Sequence, residues 1–100
     1  MKTTEQTSSP PGYIATKDQL QKRLRRIEGQ VGGLQRMVAD DRYCIDVLTQ
    51  ISAVQAALDK VALELLQEHA SHCVVGAKPA DQPERTRELM AAVARLLGRG

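Results

Sequence analysis

The chain has 100 residues, enough for one small domain, and neither Trp nor Phe, so its core must come from Leu, Ile, Val, Met and Ala. A core that thin makes oligomerisation a natural remedy. No apolar run is long enough to span a membrane, and the start MKTTEQTSSPPG lacks the apolar stretch of a secretory signal, so the two cysteines are expected as reduced thiols in the cytoplasm.

Net charge is +2, but it is unevenly placed. Residues 13–39 carry six Lys/Arg against two Asp/Glu, residues 40–75 carry two against six, and residues 76–100 carry five against three. The first of these segments is therefore a candidate anion-binding surface, against the blander alternative of a solvated helix face.

In chain order, residues 1–15 are rich in Ser, Thr, Pro and Gly and are expected as a disordered arm. Residues 16–98 are expected as one all-α domain. A first helix is predicted from Lys17 to about Ala39, with Thr16 and Gln19 at capping-box spacing. Leu20, Leu24, Ile27, Val31, Leu34 and Val38 form its apolar stripe. The opposite side carries Lys22, Arg25, Arg26 and Arg36, with Gly29 and Gly33 between them. Each glycine costs a helix roughly 0.5–1 kcal/mol relative to alanine. With Gly32 there are three, which suggests close approach of another surface, either a helix or a phosphate backbone.

A second helix is predicted to start after Asp40-Asp41, whose charge suits a helix N-terminus, and to run unbroken to about Val75, with Gly76 as its C′ residue. At roughly 50 Å it is longer than one partner helix in so small a chain can cover. A third helix follows the loop AKPADQ, with Pro83 in its first turn, Leu89, Val93, Leu96 and Leu97 on its apolar face, and Gly98 at its end. There are no strand signals and no helix-turn-helix pair.

The second helix carries the sulfur and imidazole groups. Cys44, Leu48, Ile51, Gln55, Leu58, Ala62, Leu65, His69 and Cys73 follow a coiled-coil-like rhythm along one face. At 100° per residue, His69 and Cys73 fall on either side of the Cys44 direction. Within one chain Cys44 and His69 cannot meet, because the intervening helix separates them by roughly 37 Å. An antiparallel second copy, with its two-fold near Ala57–Leu58 in the small apolar stretch SAVQAAL, would bring Cys44 to the other copy's His69 and Cys73 and build two identical sites. Two thiolates and one imidazole are a soft set suited to Cu(I); Zn(II) would want a fourth ligand. His72 points about 100° from Cys73 and is read as a surface residue, with a lesser role as an extra ligand left open. The bland alternatives are a buried Cys acting as a small hydrophobe and a His serving as a cap. No CxxC pair suggests a zinc finger, and no Ser/His/Asp set or carboxylate pair suggests an enzyme.

LRRIEGQVGGLQRM (residues 24–37), the pair Tyr43-Cys44, and HxxHCVV from His69 to Val75 together resemble the CsoR/RcnR family of metal-sensing repressors, over about residues 17–97. The spacing of Cys44, His69 and Cys73 is similar to the copper(I)-sensing branch. The resemblance implies a homodimer built on an antiparallel four-helix bundle, paired again into a dimer of dimers. It implies binding of operator DNA in the apo form and release on Cu(I) binding, derepressing copper-resistance genes. It places DNA contacts at Arg23, Arg26 and Lys60, a face that Lys22 and Arg25 extend. It also links the metal site outward through Tyr43 and a third-helix Glu, best matched by Glu88, with Glu84 as the other choice. Nickel and cobalt sensors in the family add an N-terminal histidine, and none precedes His69; persulfide sensors lack the histidine, and formaldehyde sensors lack the second cysteine, yet both residues are present. The competing classes are a sensor of another ligand in the same family (Ni, Zn or persulfide), a metal storage or delivery protein, and a helical interaction module.

Overall fold

The computed structural model describes residues 12–98, and within them every regular element is helical. A short 3-10 turn, Ile14–Thr16, leads into α1 (Lys17–Ala39). Then follow α2 (Cys44–His69), a wider π-helical segment over Ala70–Val75, and α3 (Gln82–Leu97). The three predicted helices are thus present. Most of the N-terminal arm expected over residues 1–15 lies outside the described residues; residues 12–15 form a turn and the start of the 3-10 helix. Among the described residues no helix is long and apolar enough to cross a membrane.

Two local expectations need correction. The capping box does not form: Thr16 makes no side-chain cap hydrogen bond, because a 3-10 turn rather than an extended residue precedes α1. The Asp40-Asp41 pair belongs to the end of α1, not to the start of α2. The Arg42 N–H reaches the Met37 carbonyl at 3.0 Å and the Asp41 N–H reaches Val38 at 3.1 Å, with Asp41 at φ 56°. This is a Schellman closure with Asp in the left-handed position that glycine usually takes. The first turn of α2 carries Asp46 instead, paired with Arg42 at 3.6 Å.

The chain divides into two compact units. The first, Thr16–Glu64, contains α1 and most of α2. Arg23 lies beside Glu64, while Ile27 and Gln30 share a cleft with Ala56, Ala57 and Lys60, so the two helices run antiparallel. The buried side chains of the described structure all lie in this unit: Leu20, Ile27, Val54 and Val61. The α1 stripe is only partly covered. Leu20 and Ile27 are buried, whereas Leu24, Val31 and Val38 stay 43%, 43% and 64% exposed. On α2, Cys44, Leu48, Gln55 and Leu58 of the predicted seam are exposed as well. Exposed apolar residues aligned along a helix mark an interaction surface.

The second unit comprises residues 65–98 together with residues 12–15 among the described residues. Here α3 packs against the Ala70–Val75 segment. Gln82, the first residue of α3, donates its side-chain amide to the carbonyls of Val75 and Ala77, both at 3.3 Å. It so satisfies acceptors left open where the wide turn ends. Pro83 sits in the first turn as predicted, and Gly98 caps the last. Gly76 closes the preceding segment differently from expectation. Its φ is −79°, not left-handed, and a Cβ there would lie 2.9 Å from the His72 carbonyl oxygen. Glycine is needed for close backbone approach rather than for handedness.

Candidate metal cleft and basic cleft

His69 and Cys73 share the wall of a cleft of about 830 Å3 in the second unit, with Leu65 of the same seam and His72. Both are half-buried. His69 is the last residue of α2 and Cys73 falls inside the wide segment. The expected unbroken α-helix to Val75 is therefore replaced by i→i+5 turns after His69. Each residue there advances by less than 100°, so the phase of Cys73 differs from the α-helical arithmetic. The two side chains nevertheless reach one cleft. Such single-turn widenings in long helices are frequent at functional sites.

His72 is exposed and its Nε2 lies 3.2 Å from Glu68 Oε1, one helical turn back. Cys44 is an exposed free thiol and Cys73 a half-buried one. Tyr43, directly before α2, is 68% exposed, and its backbone carbonyl accepts from the N–H groups of Asp46 and Val47. Among the described residues no group of three His, Cys, Asp or Glu side chains gathers into a metal cage.

The rest of the cleft was not visible in the sequence. Gly12 lies against α2 so closely that a Cβ on it would be 2.8 Å from the Glu68 carbonyl oxygen, and Tyr13, Ile14 and Ala15 continue along the cleft beside it. A lone glycine after two prolines gives no sign of such a contact. Arg85 of α3 also lines the cleft. Its Nη1 donates to Glu88 Oε1 at 3.2 Å. The guanidinium holds its proton more firmly than a free arginine, first through that hydrogen bond, then through the charge of Glu88, with Asp81 and Cys73 adding to it. Glu88 itself is exposed on α3 and does not line the cleft; it is joined to the cleft's wall through Arg85. Glu84 lies in the first turn of α3. The signal that would have found Arg85 is its i,i+3 spacing to Glu88.

A second cleft, of about 410 Å3, lies in the α1–α2 unit and is lined by Arg23, Arg26, Ile27, Gln30, Ala56, Ala57 and Lys60. It gathers three cations from two helices beside Ala56 and Ala57. Arg23 Nη1 lies 2.6 Å from Glu64 Oε2. The side-chain oxygen of Gln30 is buried with no hydrogen-bond partner. Lys22 and Arg25 are exposed on α1 but do not line this cleft. A Cβ at Gly32 or Gly33 would meet only the Arg36 guanidinium, at 3.7 Å, and one at Gly29 would meet nothing within 4 Å. None of these three glycines is required by a contact inside the chain.

Residues 16–95 match the family model of metal-sensitive transcriptional repressors. Over 89 residues the chain is 56% identical to the copper-sensing transcriptional repressor RicR of Mycobacterium tuberculosis (strain ATCC 25618 / H37Rv), spanning 86% of this chain and 93% of that one. Over 75 residues it is 59% identical to the copper-sensing transcriptional repressor CsoR of Bacillus subtilis (strain 168), 74% of each chain. The fold is similar to the crystal structure of the copper-sensing repressor CsoR with Cu(I) from Geobacillus thermodenitrificans NG80-2, with a TM-score of 0.75, 45% identity, and 95% and 94% of the two chains covered.

Proposed function

We propose that this chain, which belongs to the metal-sensitive transcriptional repressor family, is a copper(I)-responsive repressor that binds operator DNA without metal and releases it when Cu(I) is bound. The observation that carries the reading is the placement of the soft ligands. His69 and Cys73 meet in one cleft at the end of α2, and Cys44 stands as an exposed free thiol at its start. Because the ends of one helix of this length stay roughly 37 Å apart, the third ligand comes from a second, antiparallel copy. The open apolar stripe, with Leu24, Val31, Val38, Leu48 and Leu58 exposed, supplies the surface for that dimer. A dimer of dimers extends it.

The donor set fits the metal. Two thiolates and an imidazole favour Cu(I), which accepts low coordination and would tie Cys44 of one subunit to His69 and Cys73 of the other. His69 and Cys73 sit where helix α2 gives way to a wider turn, so fixing them fixes the register of the two chains at that point. Arg85, beside Cys73 and bonded to Glu88, carries the constraint into α3, while Tyr43 flanks Cys44 at the other end of the seam. DNA is held at the cleft of Arg23, Arg26 and Lys60, with Lys22 and Arg25 adding charge along α1. Contact there is to phosphate: three cations gathered in one cleft suit a nucleic-acid backbone. As a repressor, the protein acts in the cytoplasm.

The test is an anaerobic titration with Cu(I) of the protein bound to a labelled duplex that it has itself selected from a random-sequence pool. Release of the duplex at one Cu(I) per subunit is expected. Copper binding with no change in DNA affinity would leave a storage or delivery protein instead.

A further inference from the structure

We propose that Glu64 is a built-in competitor for phosphate at Arg23, and that it holds down the protein's affinity for DNA. The inference rests on the reading of the Arg23, Arg26 and Lys60 cleft as the DNA surface. That cleft contains three cations, yet one is already engaged: Arg23 Nη1 stands 2.6 Å from Glu64 Oε2. Glu64 approaches Arg23 from α2, one turn beyond Lys60; it does not itself line the cleft, but a phosphate that binds Arg23 must compete with its carboxylate. The two side chains are 44% and 35% exposed, so water screens the pair and it can open without unfolding the hairpin. DNA binding at Arg23 is then an exchange of carboxylate for phosphate. In such an exchange the guanidinium is neutralised before and after; the phosphate sheds its counterion but the displaced Glu64 carboxylate takes up a cation from solution, so the net ion release is smaller.

The salt dependence separates this from a merely structural pair. Operator affinity is measured across a salt series with the self-selected duplex for wild type, Glu64→Gln, Glu64→Asp, Arg23→Ala and the double variant Arg23→Ala/Glu64→Gln, each checked for helicity and melting. Glu64→Gln should bind about 5-fold more tightly, the scale of one exposed ion pair, with a salt slope steeper by up to about one unit. Glu64→Asp, which keeps the charge, should hold the wild-type slope. In the Arg23→Ala background the Gln substitution should lose most of its effect, because the two side chains act as one unit. If Arg23→Ala weakens binding but Glu64→Gln leaves affinity and slope unchanged, or weakens both, Glu64 is not a competitor and the DNA reading survives without it. If Glu64→Asp behaves as Glu64→Gln, charge is not the cause and the proposal fails. If Arg23→Ala leaves affinity and slope untouched, Arg23 does not face phosphate, and the proposal falls together with that part of the DNA surface.

Discussion

At the scale of single residues, the three candidate ligands are unequal. Cys44 and Cys73 are free thiols, and two thiolates alone can hold Cu(I) in linear geometry. In the proposed site His69 would add the third bond, and it sits at the junction where α2 ends and the wide segment begins. Its role is therefore expected to lie in coupling rather than in affinity. His69→Ala should still bind Cu(I) under competition with a chelator, yet release DNA poorly when loaded. Linkage makes the same variant's copper affinity nearly indifferent to DNA, whereas wild type should bind copper more weakly in its presence. Full release of DNA by loaded His69→Ala would remove the imidazole from the switch.

At the scale of elements, two junctions decide the shape of the helices. The α1–α2 turn closes on Asp41 at φ 56°, a position an Asp tolerates and a β-branched residue does not. Asp41→Val should lower stability by about 1–2 kcal/mol, and Asp41→Gly should leave it equal or higher, read by chemical denaturation. The wide segment carrying Cys73 ends on carbonyls that Gln82 holds from α3. Gln82→Ala removes two long, exposed hydrogen bonds, so the global loss should be small, about 0.5–1 kcal/mol. The local effect should be larger: amide exchange over residues 70–77 should speed up while that of α1 stays as in wild type. Equal exchange in both regions would show that Gln82 does not anchor the segment.

At the scale of the whole molecule, the described core is four side chains and the long helices keep exposed apolar residues, which is the basis for the proposed dimer. If the copper site is shared, ligands lost from different subunits can complement. A Cys44→Ala chain and a His69→Ala/Cys73→Ala chain should each form no three-ligand site as homodimers. Their verified heterodimer should regain one high-affinity Cu(I) per dimer, because Cys44 of the second faces His69 and Cys73 of the first. Absence of that recovery would rule out the antiparallel arrangement.

The sequence by itself determined the three helices, the run of the seam from Cys44 to His69 and the basic face of α1, because each rests on a period that runs along one helix. The 3.6-residue repeat of Leu20, Ile27 and their neighbours shows which side is apolar however the chain then folds. The family was legible for a related reason: its motifs are local runs, LRRIEGQVGGLQRM and HASHCVV, each within one element. What the period could not carry was any contact between residues distant in sequence. Only the tertiary structure showed Gly12 against Glu68, Arg23 against Glu64, Gln82 holding Val75, and Arg85 beside His69 and Cys73 in one cleft. It also moved Asp41 from a helix start to a helix end and widened the turn after His69. These depend on backbone hydrogen bonds being exchanged at junctions, where a few close contacts outweigh the propensity of the residues that make them.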